Sequence, residues 1–225
     1  MIGLIAAMPQ EINAVTARMS KVSTRIVAKV EFRSGYLKDE ELVIALSGVG
    51  KVHAAIAATL MCQLYQPSCL ISIGVAGGLK KSQHVGDLVI SDQAIQADFD
   101  TSPIDGEDGI GLRFPVDEDL LKRAMEAAGR TDINWMTGAI ATQDLFMSRP
   151  EDYEKLMSRF PESACSEMEG GAVAQTAQAF SIPFLILRTL SDVVVHDDNP
   201  MEFDQFTLES SARAAEFLEA FCTRN

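Results

Sequence analysis

Short continuous apolar runs recur along the chain and alternate with amphipathic segments. The runs at residues 3–7, 69–73 and 184–187 are typical of strands buried on both faces. After the first run, Pro9 suits the first position of a helix, and apolar residues follow it at helical spacing. Buried strands that alternate with amphipathic helices predict an α/β fold.

Further strand patterns make the predicted sheet mixed. Residues 25–36 and 41–46 indicate β structure joined by a turn at 38–40. Residues 86–90 and 135–142 indicate two more strands. We therefore expect antiparallel pairs beside the buried parallel strands.

The remaining amphipathic segments predict helices that open near Lys51, Asp117, Arg149 and Asp204. The first of these helices would carry Val52, Ile56 and Leu60 on one face, and the last would carry Leu208, Ala212, Ala215 and Leu218. Between them the polar residues 98–115, rich in Asp, Gly and Pro, indicate a long loop. No linker, repeat or low-complexity run divides the chain, so we expect one domain over residues 1–225.

Composition and charge narrow the possible functions. The chain has 225 residues, 47% of them hydrophobic, and a net charge of −13 that argues against binding the nucleic-acid backbone. The apolar start at residues 1–8 lacks a basic leader, and no stretch approaches the length of a membrane helix. Four scattered cysteines have no zinc or redox spacing and indicate buried reduced thiols. We expect a cytoplasmic protein that binds neither membrane nor metal.

Candidate chemistry falls where strands end. Glu11 lies in the first helical turn after the first strand, and the glycine-rich residues 74–78 follow a buried strand. Glu167-Met168-Glu169 precedes a helix, and Ser191-Asp192 ends another strand. Ligands collect at that edge of an open α/β sheet. Each motif also has a purely structural explanation, because acids stabilise helix starts and Asp caps turns.

In this order and spacing, the motifs resemble the methylthioadenosine/S-adenosylhomocysteine nucleosidases, within the purine nucleoside phosphorylase-like family. The resemblance runs from residue 2 to about residue 220. It rests on Ala7-Met8-Pro9-Gln10-Glu11, Ser47-Gly48-Val49-Gly50-Lys51-Val52, Gly74-Val75-Ala76-Gly77-Gly78-Leu79, Gly86-Asp87-Leu88-Val89-Ile90-Ser91-Asp92, Glu167-Met168-Glu169, Ser191-Asp192 and Phe203-Asp204-Gln205-Phe206. It implies a three-layer α/β/α sandwich around a twisted mixed sheet, and a homodimer in which the neighbouring subunit caps the thio-substituent pocket.

The resemblance also implies a reaction, the hydrolysis of the N-glycosidic bond of an adenine thioribonucleoside to adenine and a thioribose, without metal or organic cofactor. Asp192 would protonate purine N7, and Glu11 would activate water on the other side of the ribose. The remaining substrate contacts implied by the family are Gly77, Phe146, Met147, Glu167, Met168, Glu169, Ser191 and Phe203. Among these, Glu169 would hold the ribose hydroxyls, Phe146 would stack on adenine, and the backbone of Met147 would bind the purine edge.

The chain departs from the family pattern at Val75, where relatives usually carry a serine whose hydroxyl helps to position the catalytic aspartate. Valine has no hydrogen-bonding group, so we expect a weaker or differently tuned enzyme. Residues 95–98 also differ, and the loop at 100–115 looks shortened. These changes affect the expected substrate choice more than the reaction type.

Other functions remain open on the sequence alone. A phosphorylase would need convergent cations, and Glu11 with no Arg before Arg18 favours water over phosphate. A futalosine-type nucleosidase would share the same acid and base. A non-catalytic nucleoside-binding protein is disfavoured by the presence of both Glu11 and Asp192, although Val75 keeps it open.

Overall fold

The protein folds around one mixed sheet whose strands are connected mainly by helices. The computed structural model describes residues 1–194 and 207–223 in full and the helical backbone of residues 203–206. The strands are β1 (Ile2–Ala6), β2 (Ser20–Val27), β3 (Val30–Leu37), β4 (Glu40–Leu46), β5 (Cys69–Gly78), β6 (Leu88–Asp100), β7 (Ile110–Pro115), β8 (Trp135–Thr142), β9 (Ser163–Glu167) and β10 (Phe184–Val193). The helices are α1 (Pro9–Thr16), α2 (Lys51–Tyr65), α3 (Ser102–Asp105), α4 (Glu118–Ala128), α5 (Pro150–Arg159), α6 (Gly170–Ala179) and α7 (Phe203–Cys222).

The sheet has the order β10-β6-β8-β9-β5-β1-β4-β3-β2, and β7 pairs with β6. β10 also pairs with β5, so β5, β10, β6, β8 and β9 form a closed ring at one end of the sheet. β1, β5 and β10 are parallel, and their carboxyl ends therefore meet at one edge. This is the edge at which the sequence predicts a site.

Helices cover both faces of the sheet. α2 packs against α6, and α7 packs against α1 and α4. Central residues of the parallel strands, such as Leu4, Ile71 and Ile186, are fully buried between these layers. The predicted mixed-sheet sandwich is confirmed, with the additional finding that half of the sheet closes on itself. Within the described residues, no helix combines the length and the apolar character needed to cross a membrane.

The predicted β segment at residues 25–36 is two strands, not one. β2 and β3 form a hairpin whose turn, Ala28-Lys29, has positive φ angles of 50° and 66°. Two consecutive positive φ values are typical of the type I′ turn that best fits the twist of a hairpin. The sequence did not indicate this turn, because neither residue is one of the glycines or asparagines that normally favour it.

The prediction of a long loop at residues 98–115 is wrong. β6 continues to Asp100, and after α3 and a 3₁₀ turn at Gly106–Gly109 the chain returns as β7. β7 pairs antiparallel with β6, from Gln93 opposite Pro115 to Asp100 opposite Ile110. Backbone pairing, rather than the composition of the segment, gives it its structure.

The predicted face of α7 is only partly buried. Ala215 and Leu218 are buried, but Leu208 is 59% exposed and Ala212 is also exposed. Phe217 and Phe221 fill the core from this helix instead. The apolar face predicted for α2 includes Val52 and Ile56, which this chain leaves exposed.

Candidate active site

A cavity of about 210 Å³ opens at the carboxyl edge of β1, β5 and β10. Its wall includes every predicted site residue whose side chain the structure describes. These are Glu11, Gly77, Phe146, Met147, Glu167, Met168, Glu169, Ser191 and Asp192. The predicted contact of Phe203 lies outside the described side chains. Residues from five separate parts of the chain thus meet at one site.

Glu11 is held by three backbone donors. It lies in the first turn of α1, where its Oε2 accepts hydrogen bonds from the amides of Ala7 and Met8, both at 2.9 Å. Its Oε1 accepts from the amide of Val75 at 3.1 Å. Burial raises the pKa of Glu11, while the Met8 amide and the nearby Arg188 oppose the shift. A fixed carboxylate with a raised pKa has the properties of a general base.

Gly74 is required by this arrangement. A Cβ at this position would lie 2.7 Å from Glu11 Oε1 and 3.6 Å from Arg188 Cζ. Any side chain would therefore push the carboxylate away from the amide of Val75. The glycine run after β5 thus allows side chains to approach the backbone closely.

A buried ion pair joins Glu167 in the cavity wall to Arg188 behind it. Arg188 Nη2 and Glu167 Oε2 form a hydrogen-bonded salt bridge, and both side chains are 1% exposed. The same carboxylate accepts from the hydroxyl of Thr142 and from the amides of Glu169 and Gly170, at 2.9 and 2.7 Å. These four donors use the acceptor positions of Glu167. The geometry therefore favours a structural role for Glu167 over the substrate contact expected from the sequence.

Glu169 lies at the start of α6, next to this pair. Its Oε1 accepts from the amide of Gly50 at 2.8 Å, and its Oε2 is 3.9 Å from Arg188 Nη2. Burial, aided by the negative charge of Glu167, raises the pKa of Glu169 to about 7, against the effect of Arg188. Burial and the neighbouring carboxylate thus both favour the neutral form of Glu169.

Asp192 extends over the other end of the same glycine run. A Cβ on Gly77 would lie 3.2 Å from Asp192 Oδ2, so the glycine leaves room for this oxygen. Burial raises the pKa of Asp192, and the hydrogen bond from the Ser191 hydroxyl opposes the shift. A partly buried carboxyl with a raised pKa can keep a proton and donate it.

The loop after β8 forms the outer wall. Phe146 is 57% exposed and Met147 is 9% exposed, so an aromatic face lies at the mouth and the following residue lies deeper. Asp144, earlier in this loop, accepts from the amide of Lys51 at 2.8 Å and donates its own amide to Asp98 at 2.9 Å. Lys51 and Asp98 also form a salt bridge at 2.6 Å. The loop that carries Phe146 is therefore fixed to the start of α2.

Sequence analysis did not assign Arg188, Thr142, Lys51 or Asp98. Arg188 had a visible signal, since it is a charged residue directly after the apolar run at 184–187. Such a residue needs a partner, because an unpaired buried charge is strongly destabilising. In the part of the chain that the structure describes, no group of three or more His, Cys, Asp or Glu side chains could hold a metal ion.

Replacement of Glu167 by glutamine tests its structural role. We expect Glu167→Gln to lower the free energy of unfolding by about 3–5 kcal/mol, because the buried charge of Arg188 would lose the carboxylate to which it is hydrogen-bonded. Urea denaturation measures this change. The matched control is Glu162→Gln, whose ion pair with Arg113 is exposed and should contribute no more than about 1 kcal/mol. Equal small losses in both variants, with weaker substrate binding in Glu167→Gln, would instead support a substrate contact.

Known proteins resemble this chain over nearly its whole length. The 5'-methylthioadenosine/S-adenosylhomocysteine nucleosidase of Halalkalibacterium halodurans is 39% identical over 99% of this chain and 98% of its own. The crystal structure of the enzyme of that name from Neisseria meningitidis, in complex with methylthio-immucillin-A, has a TM-score of 0.92 and 31% identity, and the match covers 98% of this chain and 97% of that one. The futalosine hydrolase of Helicobacter pylori has a TM-score of 0.90 and 31% identity, covering 98% and 96% of the two chains.

A family profile gives the same result. The phosphorylase superfamily profile matches residues 1–223. This range includes every motif on which the resemblance rests. The relatives described as nucleosidases are 33–39% identical to this chain and share one name. The chain therefore belongs to the phosphorylase superfamily and, within it, to the 5'-methylthioadenosine/S-adenosylhomocysteine nucleosidases.

Proposed function

We propose that the protein hydrolyses the N-glycosidic bond of adenine thioribonucleosides, such as methylthioadenosine and S-adenosylhomocysteine, to adenine and a thioribose. The observation that carries this proposal is the placement of two carboxyl groups over one strand. Glu11 lies against Gly74, and Asp192 lies against Gly77. Two residues lie between these glycines, which puts the glycines roughly 10 Å apart along the strand. Both carboxyl groups line the same cavity, so they can flank a bound nucleoside.

Asp192 is the general acid of the proposed mechanism. Cleavage of the bond leaves electrons on the purine, and a proton on N7 makes adenine a better leaving group. Burial raises the pKa of Asp192 against one opposing hydrogen bond from Ser191, and a raised pKa favours the protonated form that a general acid needs. With N7 of the base next to Asp192, the side chain of Phe146 stacks on the base and the backbone of Met147 binds the purine edge. Gly77 allows the base to come close to the strand.

Glu11 is the general base. The transition state resembles an oxocarbenium ion, and water attacks it from the face opposite the leaving base. Three backbone amides orient the Glu11 carboxylate before substrate binds. The carboxylate therefore needs no reorganisation during the reaction. Glu169 holds the ribose hydroxyls, and Met168 packs against the sugar.

Water, rather than phosphate, is the proposed nucleophile. Among the described residues that line the cavity there is no arginine or lysine. Arg188 lies behind the wall, 1% exposed, and is already paired with Glu167. Phosphate needs convergent cations, and the carboxylates of Glu11 and Glu169 would repel it.

A futalosine-type substrate is the second candidate, supported by the similarity to a solved futalosine hydrolase. It would use the same acid and base. The choice between substrates depends on the pocket beyond the ribose, to which Phe203 would contribute.

An assay with methylthioadenosine tests the proposed reaction. We expect purified protein to release adenine and an unphosphorylated sugar at equal rates with and without phosphate, measured by chromatography. Asp192→Asn and Glu11→Gln should each lower kcat by about 10²- to 10⁴-fold, because each removes a proton transfer from the transition state.

The control for these variants is Asp100→Asn, since Asp100 is outside the cavity wall and pairs with Arg159 on the surface. It should keep the wild-type rate. Phosphate-dependent release of a sugar phosphate would contradict hydrolysis, and wild-type rates from either catalytic variant would contradict the assigned roles. If methylthioadenosine is inert, the same assay with S-adenosylhomocysteine and aminofutalosine distinguishes an enzyme with a different substrate from a non-catalytic binding protein.

We also propose that two copies associate through α2, in the cytoplasm, where the four buried cysteines would stay reduced. Val52 and Ile56 are 70% and 45% exposed on one face of α2, and Val49 is 49% exposed beside the cavity mouth. Exposed apolar residues that cluster in this way are typical of an interface. Ile104 on α3, 85% exposed, belongs to the segment that would cap the partner's pocket.

A charge on this face tests the homodimer. We expect the wild-type protein to have twice the 24.4 kDa mass of one chain in light scattering coupled to size exclusion, and Ile56→Glu to have the mass of one chain, because a glutamate would be buried in the interface. The control is Ile26→Glu on the edge strand β2, where the native residue is 67% exposed. This variant should keep the mass of the wild-type protein. A monomeric wild type, or an Ile56→Glu variant that stays dimeric, would contradict the proposal.

A further inference from the structure

β10 contains a bulge at the catalytic end of the strand. Leu190 pairs with Ala76 and Asp192 pairs with Gly77, so Ser191 is an extra residue without a partner in β5. Neighbouring side chains of a regular strand point to opposite faces, whereas a bulge redirects a side chain. Here the bulge brings the Ser191 hydroxyl within 2.9 Å of Asp192 Oδ1.

The hydroxyl of Ser191 has one good acceptor. Ser191 is 1% exposed, and its Oγ lies 3.4 Å from the carbonyl of Ala76, which is longer than an ordinary O–H···O hydrogen bond. The contact with Asp192 Oδ1 is of normal length, so the hydroxyl proton lies on that side. Val75 lines the same cavity but has no group that could replace this donor.

We propose that Ser191 is the positioning residue of Asp192, and that among the residues the structure describes it performs the orienting role that related enzymes give to a serine at the position of Val75. This inference rests on the proposed function, in which Asp192 is the acid. By donating to Oδ1, Ser191 makes that oxygen the carbonyl oxygen of the neutral carboxyl. The acid proton then lies on Oδ2, the oxygen above Gly77, at the cavity wall.

The hydrogen bond acts in both protonation states of Asp192. It orients the neutral acid before transfer and becomes stronger when the carboxylate forms, because hydrogen bonds to ions are the stronger ones. Its loss should therefore misplace the proton and raise the pKa of Asp192 further above its ordinary value, since the Ser191 hydroxyl is the group that opposes the effect of burial.

The first test is Ser191→Ala, assayed with methylthioadenosine across pH. We expect kcat to fall by about 10- to 100-fold, the usual cost of a misplaced catalytic group, with KM changed by less. The high-pH limb of kcat/KM should move to higher pH, because the acid keeps its proton longer. A wild-type kcat, or a fall in kcat with the limb unmoved, would overturn the proposal.

A double-mutant cycle with Val75→Ser gives an independent result. The new hydroxyl should raise kcat at least about fivefold more in the Ser191→Ala background than in the native one, because only there has Asp192 lost the hydrogen bond from Ser191. Equal effects in both backgrounds would overturn the proposal, as they would show that the two positions act separately. If the wild-type protein releases no adenine from any substrate, the proposed function fails instead, and thermal unfolding of each variant excludes loss of fold as the cause.

Discussion

The main physical constraint in this protein is the burial of like charges. Glu11, Glu167 and Glu169 lie around a single buried cation, Arg188, close to the floor and wall of one cavity. Desolvation and mutual repulsion both favour protonation of such carboxyls. Specific donors offset this cost. The amides of Ala7, Met8 and Val75 donate to Glu11, and a guanidinium, a hydroxyl and two amides donate to Glu167.

The hydrogen-bond donors are distributed unequally among these acids, and each proposed role follows from the donors that the acid has. Glu167 accepts hydrogen bonds from two amides, a hydroxyl and the Arg188 guanidinium, and these contacts fix its side chain in place. Glu169 has one amide and a more distant cation, and its pKa lies near neutrality. Asp192 is outside this group, and within the described residues its donor is the Ser191 hydroxyl; burial dominates its pKa, which suits the proposed role as an acid. The roles proposed for these carboxyl groups, as a structural anchor, a ribose ligand, a base and an acid, thus follow from their different surroundings.

Sequence reasoning predicted the buried strands well, because continuous apolar runs such as residues 69–73 have few alternatives. It missed β9, whose residues Ser163–Glu167 are all buried but are mostly small and polar, without any apolar period. It also missed the bulge at Ser191, since a two-against-one pairing depends on the partner strand and leaves no local pattern. The candidate site residues were predicted from the family resemblance, which rests on the order of the motifs and not on any single motif.

Roles that depend on partners distant in sequence could not be predicted. Glu167 looked like Glu169 in sequence, and only the packing of Arg188 from β10 and Thr142 from β8 distinguishes them. Likewise, the sequence indicated that Val75 removes a donor from Asp192, but it could not indicate that Ser191 supplies one. Long-range contacts decide both cases.

Neutron diffraction from a deuterated crystal at neutral pH would locate the protons of these carboxyl groups directly. We expect a deuteron on Asp192 Oδ2, none on Glu11, and the Ser191 hydroxyl directed at Asp192 Oδ1. An ionised Asp192, or a deuteron on Glu11 in its place, would reverse the proposed roles of acid and base.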